Sequence, residues 1–226
     1  MRLTALLGLL AGLTALPAWA APAAGRIDLV DGDVRIVDRQ DRPRPSAVGE
    51  PVQQGDTVTT GKDGEIHLKM SDGGVLALRP DARLTIVRHQ DEGKASDSSL
   101  LRLVRGALRT ITGWIGRRSP ENVRVQTPTA TIGIRGTDHE VVVIPKGSDL
   151  GTPGTYDKVN AGGTRLTSQG KSVDLVPGQA GHAPLNQPPE VLPSVPAFFS
   201  PARHDGRLEG LNDAFIRNQE SRSGNA

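Results

Sequence analysis

The chain has 226 residues with 27 basic and 25 acidic side chains, no cysteine, and only 3% aromatic residues. Near-neutral charge and scarce aromatics exclude nucleic-acid binding by bulk charge or a base-stacking surface. Without cysteine there is neither disulfide nor thiol chemistry, so stability must come from packing.

Residues 1–20 carry the three parts of an export signal: Arg2, an apolar stretch over 3–16, and Ala18-Trp19-Ala20 at the cleavage positions. The stretch is shorter than the ~20 residues of a spanning helix, so cleavage after Ala20 and a soluble periplasmic protein are expected. Counting in residues 17–24 would instead give an uncleaved anchor. Once Arg2 leaves with the leader, the 27 basic residues become 26 against 25 acidic ones.

The 27 glycines and 17 prolines fall between short β-branched runs, the mark of an all-β chain with many tight turns. Residues 26–29 and 34–38 read as the first strands, turning at Val30-Asp31-Gly32-Asp33. Residues 38–46, charged and with two prolines, read as an exposed loop, and 57–60 begin the next strand. Residues 65–79 form a hairpin whose Ile66, Leu68 and Met70 share a face. A three-residue Asp72-Gly73-Gly74 loop sets Met70 opposite Leu76 and Leu68 opposite Leu78, with Gly74 left-handed. A two-residue Asp72-Gly73 turn would send Leu76 and Leu78 to the other side. His67 and Lys69 then point to solvent.

Residues 84–88 and 100–110 are predicted strands around a polar, mobile loop at 90–99. Trp114-Ile115 sits between Gly113 and Gly116 in a basic connection that ends at Pro120. Residues 123–144 read as short strands, bent at Thr127-Pro128 and broken at Arg135-Gly136-Thr137. Residues 156–178 form a last strand pair, and 183–203 form a proline-rich linker over the surface. Leu208, Leu211, Phe215 and Ile216 have the spacing of a short amphipathic helix, and the residues from 220 onward should be disordered.

A repeat runs through this order. Val30-Asp-Gly-Asp-Val34-Arg-Ile36 returns as Val104-Arg-Gly-Ala-Leu108-Arg-Thr110 and, with one insertion, as Val159-Asn-Ala-Gly-Gly-Thr-Arg-Leu166. Three glycine-centred strand pairs suggest stacked β layers, an irregular β-solenoid or distorted sandwich.

Several of these segments, in order and spacing, resemble the FecR domain family: Val52–Asp56, Val58-Thr59-Thr60-Gly61, the 66–78 hairpin, Leu103-Val104-Arg105-Gly106, and above all Val125-Gln126-Thr127-Pro128 followed by Arg135-Gly136-Thr137. The resemblance covers about 25–144 and more loosely 156–179. It implies an all-β periplasmic domain, whose best-known relatives relay iron-siderophore signals to a sigma factor. Those regulators combine a cytoplasmic helical region and one membrane span with the β domain. Here the β domain follows the leader almost directly, so the resemblance supports fold and compartment more than direct anti-sigma action.

Catalytic and metal patterns are weak. Five histidines are present, but no Gly-x-Ser-x-Gly elbow accompanies them. In Asp138-His139-Glu140, strand alternation puts the carboxylates on one face and His139 on the other with Val141 and Val143, which separates the would-be ligands. Asp31-Gly32-Asp33 and Ser71-Asp72-Gly73-Gly74 lack calcium-loop spacing and are turn chemistry. In the family motif, Thr127, Pro128, Arg135, Gly136 and Thr137 read as structural, with Thr137 bonding locally to its turn.

The sequence therefore reads as an all-β domain over 25–182 with twelve to fourteen short strands and one C-terminal helix within 204–226. The expected function is non-enzymatic: a FecR-type recognition or regulatory module that binds an envelope protein and needs no cofactor or metal. Trp114, Ile115 and Arg117 are the candidate contact residues, with a plug at the open end of the β core as the equal alternative for the Trp114-Ile115 pair. The other class is a carbohydrate- or peptidoglycan-binding module, which would want aromatic platforms.

Overall fold

The computed structural model describes residues 23–211. The leader expected at 1–20, the greater part of the expected C-terminal helix (Phe215 and Ile216 included) and the tail from 220 lie outside them. The described residues form seventeen strands, most of them short, in one continuous sheet that folds into two layers around a shared core.

In the first layer the strand order is β3 (Pro43–Arg44), β2 (Val34–Val37), β5 (Thr57–Thr60), β8 (Arg83–Gln90), the N-terminal half of β9 (Ser98–Ile111), β10 (Val123–Gln126), β11 (Thr131–Ile134), β14 (Thr164–Ser168) and β15 (Lys171–Leu175). In the second it is β4 (Pro51–Val52), β1 (Gly25–Asp31), β6 (Glu65–Met70), β7 (Val75–Leu78), the C-terminal half of β9, β12 (Asp138–Ile144), β13 (Gly154–Ala161), β16 (Ala180–Pro184) and β17 (Glu190–Val191). β9 runs through both layers and joins them. Its pairing with β10 is parallel, and every other described pairing is antiparallel.

The sequence repeat marks where the chain changes layer. Gly32, Gly106 and Gly162 sit at the β1–β2, mid-β9 and β13–β14 crossings, with φ of 67°, 78° and 76°. Each lies against the backbone of another crossing. A Cβ would come within 2.3 Å of the Asp63 carbonyl oxygen, 2.5 Å of Ala82 Cα and 2.2 Å of the Gly136 carbonyl oxygen respectively. Left-handed backbone and this close approach together leave room for glycine only. The expected layered distorted sandwich is therefore the observed architecture, with stacked corners along one end.

Between the layers lies one cluster of fully buried side chains, with Leu84, Leu103 and Ile132 from the first and Ile66, Leu68 and Leu108 from the second. The outer face of the second layer is covered as well. Phe199 packs on Val142, Ile144 and Tyr156, and Leu208 on Ala77 and Ile111. The C-terminal segment from 183 onward thus completes two satellite cores on the domain's outer face. Charged groups join it to the sheet: Arg79 donates to Glu140 (2.7 Å) and Asp205 (3.0 Å), and Arg203 and His204 both reach Asp31.

Several expectations need correction. Three of the seventeen strands, β3, β4 and β17, are two-residue bridges, too short to show a side-chain period, which is why the count exceeds fourteen. Residues 156–178 hold two strands and most of a third, and β16 follows. The 65–79 hairpin keeps its large apolar side chains on one face, but Leu68 pairs with Leu76 and Ile66 with Leu78. The loop is Ser71-Asp72-Gly73, closed by Gly73 N–H to the Met70 carbonyl (3.0 Å), and Gly73 rather than Gly74 is left-handed, at φ 79°. Asp72 explains the shift: its carboxylate accepts the Gly74 N–H (3.1 Å) and draws the turn one residue earlier. His67 does not face solvent. It is buried beneath the C-terminal segment, bonded to Glu65 (2.9 Å) and edge-on to His204.

The 90–99 segment is pinned by Asp97, which accepts N–H groups of Glu92 (3.0 Å) and Lys94 (2.9 Å) and the Arg118 guanidinium (3.3 Å). Desolvation would raise the Asp97 carboxyl, but N–H donation from Glu92, Lys94 and Gly93 holds it below the usual range.

Candidate interaction surface

The one α-helix among the described residues, α1 (Trp114–Arg118), plugs one end of the sandwich between β9 and β10. Asp72 from the 70–74 turn fixes its start. Its carbonyl accepts the Trp114 N–H (2.9 Å), and its carboxylate lies 3.4 Å from the Ile115 N–H. The flanking glycines allow this contact. A Cβ on Gly113 would come within 2.4 Å of Asp72, and one on Gly116 within 2.2 Å of the Thr112 methyl.

This settles how the three contact candidates are placed. Ile115 is 0% exposed and belongs to the main core, so it is not a contact residue; the two glycines let the helix approach closely enough to bury it. Trp114 and Arg117 are half-buried at the surface. Burial lowers the Arg117 guanidinium from its usual value, although arginine stays charged regardless. Arg118 is exposed and pairs with Asp97 and Asp91.

The family-motif residues gather around the same end. Thr137 is buried and tied to Thr112, the residue before Gly113. The Thr137 N–H donates to Thr112 Oγ1 (3.0 Å), and the Thr112 N–H donates to the Thr137 carbonyl (2.8 Å). Its bonding is therefore to a different strand, not to its own turn. Gly136 is left-handed at φ 60° and stands 4.0 Å from the Arg117 side chain, measured from an added Cβ. The Arg135 N–H donates to the Gly163 carbonyl (3.0 Å), while its side chain is exposed. At the other turn, Thr127 Oγ1 bonds Ala130 and Thr155 (2.6 Å), linking the 126–131 hairpin to the second layer, and Pro128 is exposed at its tip. Thr127, Gly136 and Thr137 thus each sit in turn or inter-strand contacts. Arg135 is the motif's one exposed charge, one residue before Gly136.

Strand alternation in Asp138-His139-Glu140 is as expected. His139 points into the core and bonds Asp157 (2.7 Å), which also accepts the Thr164 hydroxyl (2.5 Å). Asp138 and Glu140 face outward, where Arg109 holds Asp138 through two bonds (2.9 and 2.7 Å) and Lys158 reaches Glu140 (2.9 Å). His139 and Asp157 are both fully buried, so the pair is reachable by no substrate. No group of three or more His, Cys, Asp or Glu side chains with metal-binding geometry occurs among the described residues.

Residues 56–151 match the family model described as FecR protein. The match covers less than half of the chain. It runs from the residue before β5 to the connection after β12, and so contains α1, both motif turns and the joining strand β9. Two crystal structures of a candidate anti-sigma factor from Parabacteroides distasonis ATCC 8503 are similar at 15% identity and a TM-score of 0.48. The likeness covers 62% of this chain and 60% of that one, less than two thirds of its length. A cell surface anchoring domain is similar at 28% identity and a TM-score of 0.27, over 28% of this chain and 83% of that one. No curated protein matches the chain. Asp72 and Asp97, which fix the helix and the 91–97 loop of the matched stretch, were invisible to pattern reasoning: a single aspartate near a glycine looks the same whether it shapes a turn or also caps a distant helix.

Proposed function

We propose that this chain is a non-enzymatic regulatory module of the FecR type, exported to the periplasm, which docks an envelope protein through the α1 end of its sandwich. The observation that carries the reading is the FecR match over 56–151, the stretch that builds this end. The contact surface is Trp114 and Arg117 together with Arg135. A half-buried Trp beside arginines has the composition of an interface anchor, and Ile115 holds it rigidly from beneath.

The test is site-specific crosslinking in intact cells with a photoreactive residue at position 114. The expected result is one envelope protein trapped at 114, not trapped from exposed Lys69, and lost on Arg117→Glu in a chain that still melts cooperatively. Lack of any adduct in the folded, exported protein would overturn the docking surface. A helix that crosses a membrane is not found among the described residues, and export is tested separately by the mass of the mature chain.

A further inference from the structure

The outer face of the first layer carries no covering segment among the described residues, and its side chains fall into two rows fixed by strand register. One row crosses β9, β10, β11 and β14 as Arg102, Gln126, Thr131 and Thr167; the next holds Leu100, Arg124, Gly133 and Arg165. With strands about 4.8 Å apart, each row spans about 14 Å. Arg102, Arg124 and Arg165 are exposed. Arg102 and Arg124 make no ion pair with a described residue, while Arg165 is held by Asp174 through two bonds (2.7 and 2.8 Å).

The face is not flat. Two shallow depressions of about 310 and 570 Å3 adjoin at Thr131. Arg102 and Gln126 help line the smaller, and Arg124, Arg165 and Thr167 the larger, together with Arg135 and one carboxylate, Glu121.

Gly133 sits between Arg124 and Arg165, on the floor of the larger depression. Its φ is not in the left-handed region, and an added Cβ would meet nothing closer than 3.9 Å, ordinary van der Waals contact. Neither backbone nor packing therefore calls for glycine, and glycine inside a strand weakens it. The notch it leaves is the remaining consequence: a place where a ligand can lie directly on the backbone between two guanidinium groups.

We propose that this notch and the two depressions bind an acidic polysaccharide, with its carboxylates on Arg124 and Arg102 and its hydroxyls on Thr131, Thr167 and Gln126. Charge complementarity selects an anion, and the planar guanidinium fork matches a carboxylate with two parallel bonds. No aromatic residue lies in either row, so a nucleic acid has no stacking platform and a neutral glycan lacks its aromatic stage. Nothing in the rows resembles the large apolar face that inserts into a lipid surface. The proposed docking residues share only Arg135 with the larger depression, and Arg102, Arg124 and Gly133 lie outside them, so variants at those three positions test this site independently of the docking end.

The test is equilibrium binding of the full chain to polygalacturonate, with neutral dextran, duplex DNA and anionic phosphatidylglycerol vesicles as the other probes. Salt-sensitive binding to polygalacturonate alone is expected. Arg102→Gln with Arg124→Gln should weaken it about tenfold, and Gly133→Val should abolish it while leaving the melting temperature equal or higher. That last pairing separates a binding notch from a folding requirement. Undiminished binding by a folded Gly133→Val chain, no binding to polygalacturonate at low salt, or equally tight binding to DNA or vesicles would each overturn the proposal.

Discussion

The two outer faces of this sandwich are built to opposite rules. On the second layer, β12 is buried on both sides: Val141 and Val143 face the core, while Val142 and Ile144 face the C-terminal segment. On the first layer, β10 and β11 bury Val125 and Ile132 but leave Arg124 exposed and Thr131 half-exposed. A strand with two apolar faces needs two covers, and the second one here is supplied by residues far along the chain. A strand with alternating faces needs only one. The difference divides the molecule into a side that keeps itself closed and a side available to other molecules.

The sharpest way to break the comparison is to remove the cover's anchor. Phe199→Ala should cost about 3 kcal/mol in a urea melt, since its ring fills the space over Val142, Ile144 and Tyr156. Asp205→Ala should cost about 2 kcal/mol by the same measurement, because Arg79 loses a partner at 3.0 Å in a half-closed setting and the Ala202 N–H loses its acceptor.

Acid should loosen the covered side next. Desolvation lowers the pKa of His67 and His182, both beneath or beside the cover, and of His89 in the first layer. The unfolded chain then takes up protons near its ordinary pKa of about 6.5 that the folded chain refuses. Stability is full above that pH and declines as pH falls toward the lowered folded values, by at most about 1.4 kcal/mol per pH unit for each histidine. Thermal melts between neutral and mildly acidic pH check the sign, and His67→Leu should shallow the slope.

The smallest effects belong to the bare face. Arg83→Gln or Arg102→Gln should shift stability within about 0.5 kcal/mol, measured in the same melts. Equal losses at Arg102 and Asp205 would erase the distinction between the faces.

Much of this was legible in the sequence. The alternation in residues 123–144 and the glycine repeat at Gly32, Gly106 and Gly162 carry the layered all-β fold, because strand period and left-handed corners are local properties. The family motif was legible for the same reason. The cover was not. His67 reads as a solvent-facing residue on an alternating strand, and only the return of His204 over it, some 140 positions later, with Leu208 on the neighbouring Ala77, buries it. For Ile115 the sequence left display and a core plug equally open, and the structure decides for the plug: Gly113 and Gly116 let α1 approach Asp72 and Thr112 closely enough to bury it. In both cases what decides is a contact between distant segments, which period and composition do not encode. Arg135 and Gly133 lie within the readable stretch, but only their neighbours across the sheet give them meaning.

Hydroxyl-radical footprinting of the full chain tests the contrast between the two faces most directly. Tyr156, Phe199 and His67 should react slowly, shielded by the C-terminal segment, while Val104 and Pro128 on the first layer react as freely accessible side chains. Protection of Tyr156 and Phe199 no greater than that of Pro128, each taken relative to the intrinsic reactivity of its residue type, would contradict the account, since the second layer would then be as bare as the first.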